Sequence, residues 1–239
     1  CNFSLREAES DGDEMFVRLL CERLSVPLSI QHFDTRRYGE EHGISIEMAA
    51  RELRYQWFKS FTQGSDGRKI VAIAHNADDQ IETLLLNLSM GTGIRGLSGM
   101  PFQKEVEGII RPLQETPRAL ILNYLKALDQ EYREDSSNSD TRYKRNLIRH
   151  KLIPLFETLN PSFREAAYRT IEHLRSTEGL YLESIARYRS TLVTNEGIAY
   201  KPLLDHPEQA AILFELLRPY GFQRPVIDSL CKHLKQGTT

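Results

Sequence analysis

The sequence has few cysteines, no long apolar run and almost no net charge. Its three cysteines, Cys1, Cys21 and Cys231, are too scattered for a disulfide framework or a Cys-x-x-Cys pair. A reducing, cytoplasmic location is therefore expected. No apolar run approaches the roughly 20 residues that a membrane-spanning helix needs. Residues 1–6 also lack the pattern of a signal peptide, so we expect no membrane partner.

The near-neutral total hides one basic stretch. The net charge is -2, and the 40% hydrophobic and 27% charged residues are ordinary for a soluble globular protein. Residues 142–189, however, contain ten Lys/Arg and five Glu, a local surplus of five positive charges. This charge is equally typical of a solvated helical surface and of a surface that binds a polyanion.

Helix and strand patterns alternate through the first part of the chain. Ser10-Asp-Gly-Asp13 resembles a capping box and begins a predicted helix that Pro27 ends. Residues 28–33 alternate like a short strand, and 69–74 form a continuous apolar segment typical of a buried parallel strand. A helix that Ser45 can cap lies between these two strands, and a further helix is predicted over 77–90. This order is the signature of an α/β domain with a parallel sheet.

The second part of the chain has helical patterns. They cover about 143–158, 162–190, 207–219 and 225–236, and prolines separate them. The composition shifts near residue 155. We therefore predict an α/β domain over 1–155 and an all-α domain over 156–239.

Polar residues gather where strand 69–74 ends. His75 follows the strand, and Asp79, Glu82 and Thr83 share one face of the next helix near its start. Ligands of open parallel sheets bind at this edge. A single acid here has a structural alternative, since it stabilises the helix dipole by roughly 0.3–1 kcal/mol. The whole group suits an ammonium ion or a divalent metal better.

Residues 91–96 match the Gly-x-Gly-x-x-Gly dinucleotide pattern. That fingerprint requires a preceding strand, whereas this copy follows a predicted helix. We therefore expect a helix cap and a packed loop, and no NAD site.

Two arginine groups stand out. Arg51 and Arg54 lie in one predicted helix, and Arg145 and Arg149 lie in another. Isolated helix arginines are usually solvated, yet the guanidinium fork is also a natural partner for phosphate.

Several motifs together resemble the tRNA(Ile)-lysidine synthetase family. They are His75-Asn-Ala-Asp-Asp-Gln-Ile-Glu-Thr83, Gly91-Thr-Gly-Ile-Arg-Gly-Leu-Ser-Gly-Met100, Arg111-Pro-Leu113, Glu47-x-x-Ala-Arg-x-x-Arg-Tyr55, Asp135-x-Ser-Asn138, Arg145-Asn-x-Ile-Arg149 and Asn160-Pro161. The resemblance covers roughly residues 1–175. His206-Pro-Glu-Gln-Ala210 marks a looser resemblance to the family's helical substrate-recognition domain.

The resemblance implies an N-type ATP pyrophosphatase with a Rossmann-like, adenine nucleotide alpha hydrolase-like sheet. Such an enzyme uses ATP and Mg²⁺ to adenylate the C2 oxygen of the wobble cytidine in the CAU anticodon of tRNA(Ile). L-lysine then displaces AMP to give lysidine, which changes decoding from AUG to AUA. The family also implies a homodimer.

The resemblance also implies roles for particular residues. Asp79 and Glu82 would hold the lysine ammonium, and His75 would lie beside the reacting base. Arg54 and one of Arg145 or Arg149 would contact the adenylate phosphate. No residue is assigned as a metal ligand. In the basic stretch, the candidates for tRNA phosphate contacts are Arg164, Arg169 and Arg175.

One family feature is missing from these residues. The family's Ser-Gly-Gly-x-Asp-Ser loop, which cradles pyrophosphate, has no counterpart here. We therefore expect a sheet without its first strand and PP-loop, and a fragment that binds ATP weakly and forms no lysidine. The alternatives are another tRNA-modifying PP-loop ATPase, such as a 2-thiocytidine synthetase, or a non-catalytic tRNA-binding module. The scattered cysteines argue against the former, whose chemistry uses cysteine pairs.

Overall fold

The computed structural model describes residues 1–6, 8–62, 69–101, 103–104 and 108–236. The chain forms two compact units. The α/β unit comprises residues 1–91 and 99–168, and the helical unit comprises residues 92–98 and 169–239.

The helices in chain order are α1 (Ala8–Arg23), α2 (Thr35–His42), α3 (Ile46–Thr62), α4 (Ala77–Ser89), α5 (Ile94–Leu97), α6 (Arg118–Ala127), α7 (Lys144–Leu147), α8 (Ile153–Leu159), α9 (Phe163–Leu192), α10 (Gln209–Leu217) and α11 (Arg224–Gln236). The strands are β1 (Val71–Ala72), β2 (Gln103–Lys104), β3 (Ile109–Ile110), β4 (Val193–Thr194) and β5 (Gly197–Ile198). None of the described helices is long and apolar enough to span a membrane.

The sheet of the α/β unit is built around β3. Its Ile109 lies opposite Val71 in a parallel pair with β1, and β2 pairs with its other edge in the antiparallel sense. A separate parallel bridge joins Asn2 to His32, within the segment predicted as the first strand. The predicted strand 69–74 is confirmed at its centre by β1, and the parallel pairing confirms the α/β prediction.

Helix α4 begins where the strand segment of β1 ends, and a capping box fixes its start. The Asn76 side chain accepts a hydrogen bond from the Asp79 backbone at 3.2 Å, and the Asp79 carboxylate accepts one from the Asn76 backbone at 2.8 Å. The buried face of α4 includes Ile81, which packs with Ile148 and Ile153. Burying each such side chain stabilises the fold by about 1.5–3 kcal/mol. The packing holds the start of α4 against the helix that carries Arg145 and Arg149.

That second helix is continuous from α7 to α8 through a π-helical turn at Ile148–Leu152. Pro154, in the first turn of α8, has no backbone N–H to donate, which favours an irregular hydrogen-bond pattern just before it. Single π turns often occur at functional sites. Here the turn contains Arg149.

The helical unit has its own apolar core. Its buried members include Ile185, Leu203, Leu216 and Ile227, from α9, α10, α11 and the segment before α10. A short hairpin of β4 and β5 lies between α9 and α10. The helical sequence pattern did not predict this hairpin, because strands of two residues are too short to show a periodicity.

The glycine-rich segment 91–96 follows α4 and not a strand, as predicted. Gly91 has a φ of 71°, the left-handed conformation that glycine adopts readily after a helix. Residues 92–98 belong to the helical unit, where the Arg95 guanidinium lies 2.9 Å from the buried Glu215 carboxylate. The dinucleotide interpretation is therefore excluded on structural grounds.

Candidate active site

The acids at the start of α4 differ in how accessible they are. The side chain of Asp79 is 16% exposed, whereas that of Glu82 is 1% exposed. One oxygen of Asp79 caps the helix, and the other lies 3.8 Å from an Arg149 nitrogen. Asp79 is therefore the acid that a ligand can reach.

Glu82 forms a two-pronged ion pair with Arg149. The guanidinium Nε donates to Oε1 at 2.6 Å and Nη2 donates to Oε2 at 3.1 Å. Burial raises the pKa of Glu82, and the hydrogen bonds from Arg149 oppose that rise. A paired geometry of this kind is the strong form of carboxylate recognition by arginine.

A polar loop fixes the other side of Arg149. Its Nη1 donates to the Asn138 side chain at 3.2 Å, and the His150 ring lies 2.6 Å from the Asn138 carbonyl oxygen. The buried Asn146 donates to the carbonyls of Ser137 and Asp140. The family motif around Asn138 therefore holds its loop against the helix that carries Arg149.

Arg145 and His75 complete this cluster. An Arg145 nitrogen donates weakly to the Thr83 hydroxyl at 3.4 Å. Burial lowers the pKa of His75, Asp79 opposes that effect, and Arg111, Arg145 and Arg51 add to it. His75 is consequently neutral at pH 7. The structure thus brings together five of the predicted residues: His75, Asp79, Glu82, Arg145 and Arg149.

Arg54 lies apart from these contacts, in the wall of a cavity of about 490 Å³. The cavity is formed by the segment before α1, by α1, α3 and the loop before α7, and Asn2, Arg36 and Ser137 are among its lining residues. The Arg54 guanidinium lies 5.1 Å from the Phe3 ring centroid. In the described part of the chain it pairs with no carboxylate, and burial lowers its pKa. A half-buried, unpaired cation of this kind is stabilised by an incoming anion.

The three arginines predicted to contact tRNA have different surroundings. Arg164 pairs with Asp78 and with Glu157, the latter at 2.7 Å. Arg175, in the helical unit, donates to the Ser98 carbonyl at 3.0 Å. Arg169 is exposed, and its side chain makes no hydrogen bond or ion pair with the residues described.

Sequence reasoning gave no role to Arg111 or Asn138, although both lie within family motifs. Arg111 is 2% exposed and donates to His75, and Asn138 accepts from Arg149. Their position in the motifs was the only sequence signal that these two residues have a role. Their contacts with His75 and Arg149 join distant parts of the chain and leave no local pattern.

Metal-binding side chains are not clustered in the described part of the chain. Among these residues, no three His, Cys, Asp or Glu side chains are grouped closely enough to hold a metal ion. The site is instead built from arginines, two carboxylates and an imidazole, a set suited to a phosphate and an amine.

Comparison with known families agrees with this chemistry. Residues 1–156, more than half of the chain, match the family described as the PP-loop domain, and the chain belongs to that family. Residues 194–239 match the family described as the TilS substrate binding domain.

Individual relatives are more specific. The chain is 47% identical to the tRNA(Ile)-lysidine synthase of Porphyromonas gingivalis, covering 98% of this chain and 51% of that protein. It is 42% identical to that of Bacteroides thetaiotaomicron, covering 98% and 54%. The resemblance to the lysidine synthetase family is therefore confirmed. The chain spans about half the length of these relatives.

The fold is also found in a solved structure. The U34-tRNA thiolase NcsA of Methanococcus maripaludis aligns with a TM-score of 0.53 at 18% identity, over 69% of this chain and 56% of that one. This likeness confirms the PP-loop fold.

Proposed function

We propose that the protein catalyses the tRNA(Ile)-lysidine synthase reaction. ATP would adenylate the C2 oxygen of the wobble cytidine in the CAU anticodon of tRNA(Ile), and L-lysine would then displace AMP. The observation that carries the proposal is the joint placement of Asp79, Glu82, Arg145, Arg149 and His75 at the start of α4. Guanidinium groups are thus available to bind the adenylate phosphate, and carboxylates are available to hold the lysine amine where it must attack.

ATP would be held partly by arginines. Arg54 is the best supported, because its half-buried charge has no carboxylate partner among the described residues. Arg149 is a second candidate. To bind the phosphate, it would have to release the Glu82 carboxylate with which it is paired. Mg²⁺ enters the proposal with ATP, since proteins often bind it through one or two carboxylates and the nucleotide phosphates.

The two acids would bind the lysine substrate one after the other. Asp79 is accessible and would meet the ammonium group first. The Glu82 carboxylate would become available only when Arg149 turns towards the adenylate phosphate. Glu82 would then exchange the guanidinium of Arg149 for the ammonium group of lysine. This exchange would couple activation of the base to binding of the amine.

The tRNA would be held in part by the basic stretch, with Arg169 as the candidate free to contact a phosphate. The resemblance of residues 194–239 to a substrate binding domain supports a further RNA contact there. Family resemblance also supports a homodimer and a cytoplasmic location.

The proposal is tested with the longest natural form of the protein. We expect incorporation of labelled lysine into tRNA(Ile) with a CAU anticodon, and ATP–pyrophosphate exchange that depends on this tRNA. Sulfur transfer to tRNA without lysine incorporation would favour the thiolation alternative. Tight tRNA binding with no ATP turnover would favour the non-catalytic alternative.

A further inference from the structure

Among the residues that the structure describes, Arg111 is the largest of the fully buried side chains, and it has an unusual partner. Its Nε donates to Nδ1 of His75 at 3.3 Å, and its Nη1 donates to the Pro101 carbonyl at 2.8 Å. Within the described ranges it forms no ion pair with a carboxylate. Its position just after β3 brings it beside His75, which follows β1 in the neighbouring parallel strand.

This contact determines which ring nitrogen of His75 carries the proton. A guanidinium has five donors, no acceptor and no accessible neutral form. Nδ1 of His75 must therefore offer a lone pair, and a neutral ring then carries its proton on Nε2. An imidazolium would put two N–H donors against each other, so the contact also disfavours protonation.

We propose that Arg111 is a positioning residue that holds His75 as the Nε2–H tautomer, so that His75 donates a hydrogen bond to a ligand oxygen. Among the described residues Nε2 has no partner, which leaves that donor for the substrate. The oxygen best suited is a pyrimidine carbonyl, and this assignment of the ligand rests on the function proposed above. His75 would then polarise the base, and it would not accept a proton through Nε2.

The tautomer is measured directly by nitrogen NMR of the full chain with labelled histidine. The signals of His75 are identified among the seven histidines by their loss in His75→Gln. We expect an unprotonated Nδ1 and a protonated Nε2 without any substrate present. A protonated Nδ1 in the unsubstituted protein would overturn the proposal, whether or not any variant folds.

Two variants separate positioning from simple packing. Arg111→Met removes the donor, so we expect a mixture of tautomers and a higher pKa for His75. Arg111→Lys restores a cationic donor and should recover the Nε2–H form. The charged groups that also act on His75 are Asp79 on α4, Arg51 on α3 and Arg145 on α7, and both variants leave them unchanged. A tautomer unaffected by Arg111→Met in a folded protein would contradict the proposal.

Activity gives an independent readout. In the natural enzyme Arg111→Met should lower kcat by roughly tenfold or more, with the KM for ATP changed less than about twofold. The exposed Arg37→Met is the matched control and should leave both unchanged. If the NMR result holds but no lysidine forms in the unsubstituted enzyme, the proposed function fails and the tautomer assignment stands. If lysidine forms and Nδ1 carries the proton, only this inference fails.

Discussion

The carboxylate of Glu82 and the guanidinium of Arg149 meet through two hydrogen bonds, although 67 residues separate them. Both side chains were predicted to contact substrate, one the lysine and the other the phosphate. The structure shows them bound to each other. The acid pair at the start of α4 is therefore unequal, and its two members should respond differently to mutation.

Asp79→Asn should damage lysine use without damaging the fold. Asparagine keeps an oxygen that can accept the capping hydrogen bond from Asn76. A charge-assisted hydrogen bond is worth about 1.5–3 kcal/mol, so kcat/KM for lysine should fall roughly ten- to hundredfold. Steady-state kinetics and thermal melting of the same preparation test this. A lower melting temperature with unchanged lysine kinetics would mean that Asp79 is structural.

Glu82→Gln should lower stability as well as activity. The half-buried Arg149 would lose its nearer charged partner and keep only Asp79 at 3.8 Å, and breaking such a pair by removing one side leaves a costly charge. The double variant Glu82→Gln with Arg149→Met should regain part of the lost melting temperature. A double-mutant cycle measures this coupling. Additive effects of the two substitutions would show that the pair contributes nothing to the fold.

Arg54→Met should separate ligand binding from stability. The guanidinium is half-buried in the cavity wall and pairs with no carboxylate in the described residues, so its removal should not lower the melting temperature. ATP affinity of the natural enzyme, measured by calorimetry, should fall about tenfold or more. Arg37→Met is the exposed control. Unchanged ATP affinity would remove Arg54 from the phosphate site.

The pH dependence should reveal a neutral His75. Its pKa in the folded protein lies below the ordinary value of roughly 6.5, so the unfolded state binds the proton first as the pH falls. The contribution of His75 to stability is complete above about pH 6.5 and is lost as the pH drops towards the lower, folded value. As the pH falls across this range, the free energy of unfolding measured with denaturant should therefore decrease more steeply for the unsubstituted protein than for His75→Gln. Parallel curves would contradict the assignment.

Salt dependence should identify the RNA contact. Removal of one arginine that binds a phosphate should flatten the slope of log affinity against log salt by about 0.7–0.9. Arg169→Gln should do this without changing the melting temperature, because the side chain is exposed and unpaired in the part of the chain described. Arg164→Gln should lower the melting temperature as well, since Asp78 and Glu157 would no longer have their cationic partner.

These substitutions should weaken the binding of isoleucine and methionine tRNAs to the same extent, because phosphate contacts do not depend on base identity. The triple Arg→Gln variant at 164, 169 and 175 extends the test to the whole group. If its slope equals that of the unsubstituted protein, the three arginines are solvated surface or internal partners, and the RNA lies elsewhere.

Much of the architecture was predictable because the signals are local. The apolar run before His75 and the helical period after it are properties of neighbouring residues, and they correctly placed β1 and α4. The segment 91–96 was likewise excluded as a dinucleotide loop from its local context. The hairpin of β4 and β5 was missed because its strands are shorter than any periodicity.

The sequence by itself therefore determined the α/β class of the first part of the chain, the positions of β1 and α4, the polar residues that follow β1 and the family resemblance. Tertiary structure alone decided which arginines meet a carboxylate and which meets an imidazole. Arg149 with Glu82, Arg111 with His75 and Arg164 with Asp78 are 67, 36 and 86 residues apart. An arginine in a helical pattern looks the same whether it is solvated, paired or buried, and only packing removes the water that makes these states differ in energy.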